Sequence, residues 1–488
     1  MRRSPEVNFA GRLLQRLGPN SRLADAASGE VIEARELAAL VVGFAAGFLS
    51  AGVEPGDCIL IGCSLSPAST LAYLGAMYGG LVPVLLEERV LATYGPAVCA
   101  KTRARMVWTA KGPPGAWAEQ LGLRHLAGNF EARSVDSLAP CARAPGDLAA
   151  LMPTSGSTGA PRLVMVSHGN LAGNTEAIIR SQGLGPDERA MLILPLSYCF
   201  GASVVHTHLY QGGGVVFDSR FMFPDKVLRA ISACGCSTFA GVPAVYHILL
   251  GRSSIRSIPL PSLRRFLQAG GGLAPRSIQS MREVAPAAQF FVMYGQTEAT
   301  ARISCLPPDR LGEKLGSAGV ALDNLTIRIV DDQGREVPPG QNGEIWVEGP
   351  SVCQGYFDDP EETSRKFRDG WLKTGDFARM DEDGFLWIQG RRGDFTKIRG
   401  VRLSFSEVEA TVAATPGVCE CAATSVPHAE AGEALALYVV PASGACDVAE
   451  QVRRALPPHW TCSAVHVVAQ LPKTSNGKIV RSLLKATA

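Results

Sequence analysis

Thr154-Ser155-Gly156-Ser157-Thr158-Gly159 forms an unbroken run of small residues that follows the apolar stretch LAALM and leads into Ala160-Pro161-Arg162. Hydroxyls and glycines at this density let backbone N–H groups and side-chain oxygens converge on an anion with no bulky side chain in the way. Arg162 adds a permanent positive charge. The run lacks the Lys-Ser/Thr ending of a Walker loop, so it is not the phosphate cradle of P-loop enzymes. The same composition would also serve as a plain surface linker. A second segment, Met293-Tyr294-Gly295-Gln296-Thr297-Glu298, follows the apolar AQFFV. It places a carboxylate just past a strand, where open α/β sheets gather ligand groups. Glu298 there could hold magnesium beside phosphates or simply face solvent.

Two further segments carry charge at turns. Trp371-Leu372-Lys373-Thr374-Gly375-Asp376 sets a carboxylate after a tight glycine, suited to accepting two hydrogen bonds from a ribose diol. Close behind come Arg391, Arg392, Lys397, Arg399 and Arg402, the densest positive patch in the chain, which alone would read as a solvated basic loop. Near the C-terminus, Lys478 follows Asn476-Gly477, a turn dipeptide that presents a side chain at an exposed tip. A lysine on a surface turn has no chemistry by itself; its meaning comes from the four segments taken together.

The elements that must position these residues alternate in type. CILIGCSL (Cys58–Leu65) and ERAMLILPL (Glu188–Leu196) read as buried strands, and STLAYLGAMYGG (Ser69–Gly80) reads as a helix ending in glycines. VLRAISACGC with STFAGVP, and SIQSMREVAP with AQFFVMYG, each read as helix then strand. Such alternation predicts α/β layers with a largely parallel sheet. From about residue 318 the texture becomes β-rich, with hairpin patterns in NLTIRIVDDQGREVPPGQNGEIWVEG and FARMDEDGFLWIQG. After Arg391 it changes again to SFSEVEATVAA, LALYVV and DVAEQVRRAL, a small α+β pattern. The division expected is an N-terminal region of 1–391 and a C-terminal region of 392–488.

The 488 residues carry 47 Lys+Arg against 45 Asp+Glu, a net charge of +2 that leaves no global field for nucleic acid or anionic lipid. The 46% hydrophobic content excludes a disordered chain. MRRSPEVNFAGRL has no apolar h-region, and the longest uncharged apolar run, Leu37–Val53, is short of the roughly 20 residues a membrane span needs, so it reads as a buried helix. The thirteen cysteines are scattered, and Cys234/Cys236 and Cys419/Cys421 have the wrong spacing for a zinc knuckle or redox pair. Reduced core cysteines and a cytoplasmic location are expected.

In order and spacing, the four segments resemble the adenylate-forming superfamily of acyl-CoA synthetases, acyl-AMP ligases, carrier-loading adenylation enzymes and luciferases, with the likeness running from GVEPGDCILI (Gly52–Ile61) to Gly477-Lys478. The resemblance implies a two-step reaction. A carboxylate attacks the α-phosphate of Mg-ATP to give acyl-adenylate and pyrophosphate, and the acyl group then passes to the phosphopantetheine thiol of coenzyme A or of a separate acyl carrier protein. It implies that Thr154–Gly159 and Arg162 hold the β- and γ-phosphates. Gly270-Gly271-Gly272 and Tyr294 would enclose the adenine, Gly295 and Gln296 would also bind the nucleotide, and Ile388 would lie near the purine. Thr297 would touch the α-phosphate, Glu298 the magnesium ion, and Asp376 with Arg391 the ribose. Lys478 would bridge carboxylate and α-phosphate. A rotation of the C-terminal domain about Gly393 would exchange Lys478 for Lys397, Gly400 and Arg402 in the second step.

Three positions depart from the family pattern: Arg162 stands for the usual lysine, Leu163 where glycine is common, and Gly393 where the hinge carries Asp or Lys. The acyl pocket is expected to draw on Tyr198, Phe200, Gly201, Gly241 and Val242. Aligned with an amino-acid-activating FDASV pattern, FGASV lacks the aspartate that holds an α-ammonium, which argues against an α-amino acid substrate. His206 and His208 either line the pocket or sit in a helix. An amine acceptor and a degenerate, non-catalytic nucleotide-binding module are the alternatives. The missing Lys-Ser/Thr ending and the presence of the Lys478 motif argue strongly against a P-loop kinase, which ADP as product would revive.

Overall fold

The computed structural model describes residues 8–112, 114–154, 160–391, 395–398, 401–428, 430–442, 444–473 and 479–484, without the side chains of 397, 401, 402, 406 and 482. The N-terminal region is built on two sheets. A six-stranded sheet runs in the order Arg124–Ala127, Met106–Thr109, Cys58–Cys63, Val82–Glu87, Leu148–Thr154, Arg162–Ser167. A nine-stranded sheet has a parallel centre of Arg22–Asp25, Gly214–Phe217, Arg189–Leu192, Thr238–Gly241, Arg265–Gln268 and Gln289–Tyr294, flanked by antiparallel edges.

Two helices are buried nearly all round because their faces meet protein on every side. Pro67–Tyr78 starts where Ser66 accepts a hydrogen bond from the Ser69 N–H and Pro67 supplies the first helical φ, and it touches strands of both sheets. All the residues of Cys199–Tyr210 are buried. The run read as a buried helix forms Ala34–Ser50. Among the described residues no helix is long and apolar enough to cross a membrane. None of the thirteen cysteines is in a disulfide, and most are buried.

Phe239, Phe266 and Phe290 are register neighbours across three parallel strands, and Tyr246 lies over all three rings. The Tyr246 hydroxyl donates to the Leu267 carbonyl at 2.8 Å. This aromatic row fixes the helix Pro243–Arg252 on the sheet and brings the strand ends at Gly241, Gln268 and Tyr294 to one edge.

A smaller sheet follows, of Thr326–Val330, Asn342–Glu348, Trp371–Met380, Phe367–Arg368 and Leu386–Arg391. The C-terminal region pairs Phe395–Ile398 with Val401–Ser404 and Val418–His428 with Gly432–Pro441, adds Cys462–Val467 in parallel, and packs Phe405–Ala413 and Val448–Ala455 over its own core. Phe395 meets Phe377 edge-on with centroids 5.6 Å apart, and the Ser404 hydroxyl donates to the Gln389 carbonyl, so the two regions touch at this seam.

Three histidines are buried as neutral rings. His168 accepts from the Phe9 N–H at 3.1 Å, His206 meets the Tyr73 hydroxyl at 3.1 Å, and His208 lies 2.9 Å from the Val204 carbonyl. Burial pushes them down to about 4, 3 and 4 respectively. Above the ordinary value of 6.5 both folded and unfolded chains hold them neutral; below it only the unfolded chain takes up protons, so stability falls as pH drops from 6.5 toward 4. Each histidine contributes a slope of up to about 1.4 kcal/mol per pH unit. Urea unfolding between pH 6.3 and 5 is expected to show a shallower slope for His208→Phe than for the parent chain by about that amount; equal slopes would show that His208 is charged inside the fold.

Candidate active site

The site begins where the strand Gln289–Tyr294 ends. Gly295 comes so close to the next turn that a Cβ there would lie 1.8 Å from the Ala301 carbonyl oxygen, so no other residue fits. The Tyr294 hydroxyl donates to Asp376 Oδ2 at 2.6 Å, and Arg391 Nε donates to Asp376 Oδ1 at 2.8 Å. Asp376 follows Gly375, whose φ of +75° and N–H bond to Glu344 Oε1 at 3.1 Å shape the turn. Burial, with the Asp376 charge, pushes the Tyr294 hydroxyl far above its usual range, so it remains a donor. The Asp376 charge likewise raises Arg391, which stays cationic. Residues distant in sequence thus meet around one carboxylate.

Glu298 lies on the single turn Thr297–Ala299 and is buried, not solvated as the bland reading had it. Its Oε1 accepts from the Tyr356 hydroxyl at 2.6 Å, while the Cys353 N–H donates to the Glu298 carbonyl at 2.9 Å. The turn closes at Thr300, a threonine at φ +66° whose hydroxyl donates to the Ser351 carbonyl at 2.7 Å. Strained backbone of this kind persists only where its surroundings dictate it. Lys366 stands nearby, its ammonium 3.1 Å from the Thr374 carbonyl and lowered by burial, with Glu298 and Asp376 among the charges that offset this. Sequence reading missed Tyr356 and Lys366: neither lies in a patterned segment, and only the packing of 355–376 against Glu298 reveals them.

Thr154 and Arg162 are paired across antiparallel strands; Ser155, Gly156, Ser157, Thr158 and Gly159 lie outside the described residues. Arg162 differs from expectation. Its guanidinium is 3.5 Å from an Asp359 oxygen and 3.6 Å from one of Glu362, so protein carboxylates share its charge while the side chain stays half exposed. Leu163 is fully buried in a core cluster, where a side chain is needed to fill space.

On the other side of the strand ends, Gly270 has φ +85°, and a Cβ there would lie 2.6 Å from the Tyr198 hydroxyl oxygen and 3.1 Å from Val242 Cγ1. Tyr198 therefore lies against the glycine segment; its Gly271 carbonyl accepts from Gln268 Nε2 at 2.7 Å, while Gly272 is open. Gly241 packs against Val245. Phe200 is buried beside Tyr198 with ring centroids 6.3 Å apart. At Gly201 a side chain would meet the Pro195 carbonyl oxygen at 2.2 Å, so only glycine fits there. The missing aspartate is accordingly explained by packing. His206, with Tyr73 and Thr300, borders a void of about 10 Å³, whereas His208 is a core residue.

Ile388 is half-buried and borders a groove of about 540 Å³ with Phe377, Trp387 and Phe395 at the seam with the C-terminal region. Arg392, Gly393, Arg399, Gly400 and Lys478 lie outside the described residues; Lys397 and Arg402 are register partners in a β-hairpin. Lys473 and Ile479, which flank the Lys478 loop, form an antiparallel bridge. Lys473 pairs with Glu420 at 2.7 Å, and both bear on His247 of the helix that begins beside Val242.

Two family patterns cover this architecture: AMP-binding enzyme over residues 22–357 and AMP-binding enzyme C-terminal domain over 407–478. A feruloyl-CoA synthase from Amycolatopsis sp is 33% identical over 466 residues, 93% of each chain. A 2-succinylbenzoate–CoA ligase from Bacillus licheniformis is 33% identical over 69% of this chain and 70% of its own. Among solved structures, ATP-bound MatB from Rhodopseudomonas palustris superimposes with a TM-score of 0.88 at 27% identity, over 99% of both chains. With both patterns in register and a curated relative matched almost end to end, this chain belongs to the AMP-binding enzyme family of adenylate-forming ligases.

Proposed function

We propose that the protein activates a carboxylic acid with ATP and transfers the acyl group to the thiol of coenzyme A. The observation that carries this reading is the carboxylate of Asp376 clamped by Tyr294 and Arg391 beside the buried Glu298 turn, at the C-terminal edge of a parallel sheet. Asp376 is suited to accept both ribose hydroxyls. The acid's oxygen forms a bond to the α-phosphorus while the bond from that phosphorus to the bridging oxygen breaks and pyrophosphate leaves. The thiol sulfur then bonds to the acyl carbon, AMP departs with the electron pair, and the thiol proton passes to solvent.

Glu298 is the residue that would hold magnesium, and the described residues contain no cluster of three metal-binding side chains. One carboxylate fits an ion that arrives already carried by phosphates. When bound, the ion would offset charge on the phosphate oxygens. Tyr356 fixes the Glu298 carboxylate through its hydrogen bond. In this reading Thr154–Gly159 enclose the outer phosphates, Thr297 and Gln296 approach the α-phosphate, and the glycines at 270–272 flank the base. Lys478 sits between two anions that must approach, relieving a repulsion that grows as they converge. Residues 392–488 would turn about Gly393 between the two steps, bringing Lys397, Gly400 and Arg402 round for thioester formation.

Acid-dependent exchange of pyrophosphate into ATP, with no thiol present, tests the first step: exchange together with AMP as product is expected, and ADP would replace this reading with a kinase. Lys478→Ala is expected to lose roughly a hundredfold or more in exchange while transfer from supplied acyl-adenylate persists; equal loss of both steps would remove the two-conformation account. Glu298→Gln should raise the magnesium concentration for half-maximal exchange, with Tyr356→Phe moving the same way by less. An unchanged magnesium profile in Glu298→Gln would take the metal away from this carboxylate.

A further inference from the structure

Arg302 lies between the strained Thr300 and the strand Ser304–Leu306, and its backbone is held from both sides by one side chain. Its N–H donates to Asn174 Oδ1 at 3.2 Å, and Asn174 Nδ2 donates to its carbonyl at 2.8 Å. The side chain turns inward until the residue is only 2% exposed. Its guanidinium carbon stands 4.8 Å from the centre of the Phe200 ring. Nε is buried with no hydrogen-bond partner, and no carboxylate pairs with this arginine among the described residues.

The groups that act on its charge are Cys305, Cys199 and Tyr198. Burial raises the Cys305 thiol to about 11 and pushes the Tyr198 hydroxyl above its usual range, so both are neutral at ordinary pH. A guanidinium cannot shed its proton to escape burial. An uncompensated buried ion costs several kcal/mol, and such groups are otherwise paired. Arg265, another arginine with little exposure, obeys that rule by pairing with Glu188. The partner of Arg302 must therefore come from outside the described chain.

Position tells what that partner is. The guanidinium lies over Phe200, Phe200 adjoins Tyr198, and Tyr198 in turn stands against Gly270, beside Val242, where the strand ends gather. We propose that Arg302 receives a second carboxylate on the acid being activated, so that the substrate is a dicarboxylic acid whose far end is fixed by the guanidinium while its near end is adenylated. This rests on the ligase reading above and deepens it. A planar fork of donors matches a carboxylate with two parallel hydrogen bonds. Phe200 under the cation adds attraction without competing for its donors.

The test is pyrophosphate exchange with matched pairs: aliphatic and aromatic dicarboxylic acids against their mono-methyl esters, with hydroxycinnamic and fatty acids alongside. The free diacid is expected to exceed its half-ester in kcat/KM by about ten- to a hundredfold, the worth of a charged hydrogen-bonded pair. Arg302→Met should collapse that ratio toward unity by raising KM for the diacid, and Arg302→Lys, with charge but no fork, should keep part of it. A half-ester or plain monocarboxylic acid that serves the parent enzyme as well as the diacid overturns the inference and leaves the ligase reading intact. So does a ratio unchanged in Arg302→Met. Silence with every acid would instead overturn the ligase reading, and this inference with it. If Arg302→Met does not fold, as judged by its thermal melt, the ratio in the parent enzyme and in Arg302→Lys decides.

Discussion

Asp376 holds together parts of the chain that share no secondary structure. Its two oxygens take hydrogen bonds from Tyr294, at the end of a strand in the nine-stranded sheet, and from Arg391, at the end of the small β-sheet. Both donors are forced to remain donors, Tyr294 by burial and Arg391 by the carboxylate itself. One charge thereby fixes the distance between the large sheet and the segment leading to the C-terminal region. The register of Trp371–Met380 against Leu386–Arg391 brings residues 376 and 391 side by side. A carboxylate so held needs no reorganisation to accept further donors from a diol.

Around that carboxylate the chain distributes charge unevenly, and the distribution explains why some conspicuous residues matter less than their type implies. Arg162 follows the small hydroxyl run, pairs with Asp359 and Glu362 and lies over the Tyr356 ring. Tyr356 in turn orients Glu298. The arginine therefore packs behind the tyrosine that orients Glu298. Lys366, by contrast, has no motif to announce it and is brought next to Glu298 and Asp376 by the fold alone.

Arg302 presents the opposite case. Most buried polar groups here find partners within the chain, in keeping with the expense of leaving them bare. A cation left unpaired beside the acyl-side aromatics is the kind of local conflict expected at functional sites, where stability gives way to binding. Asn174 clamps the backbone of the same residue through both its N–H and its carbonyl.

The four chemical segments and the order of strands and helices could be read from the chain, because glycine-rich turns, small hydroxyl runs and apolar periodicity are local properties. The helices read at Leu37–Val53 and Ser69–Gly80 form as Ala34–Ser50 and Pro67–Tyr78 for that reason, with ends moved by the Ser66 cap and Pro67. Gly295 and Asp376 were visible as turn residues before their neighbours were known. What no local pattern encodes is which side chains from separate elements meet. The engagement of Arg162, the support of Glu298 by Tyr356 and the burial of Arg302 against Phe200 and Asn174 all depend on contacts between residues tens to hundreds of positions apart. Residue type determined what chemistry was available to this protein; tertiary packing decided which charges are neutralised, because pairing and desolvation are set by distance in space.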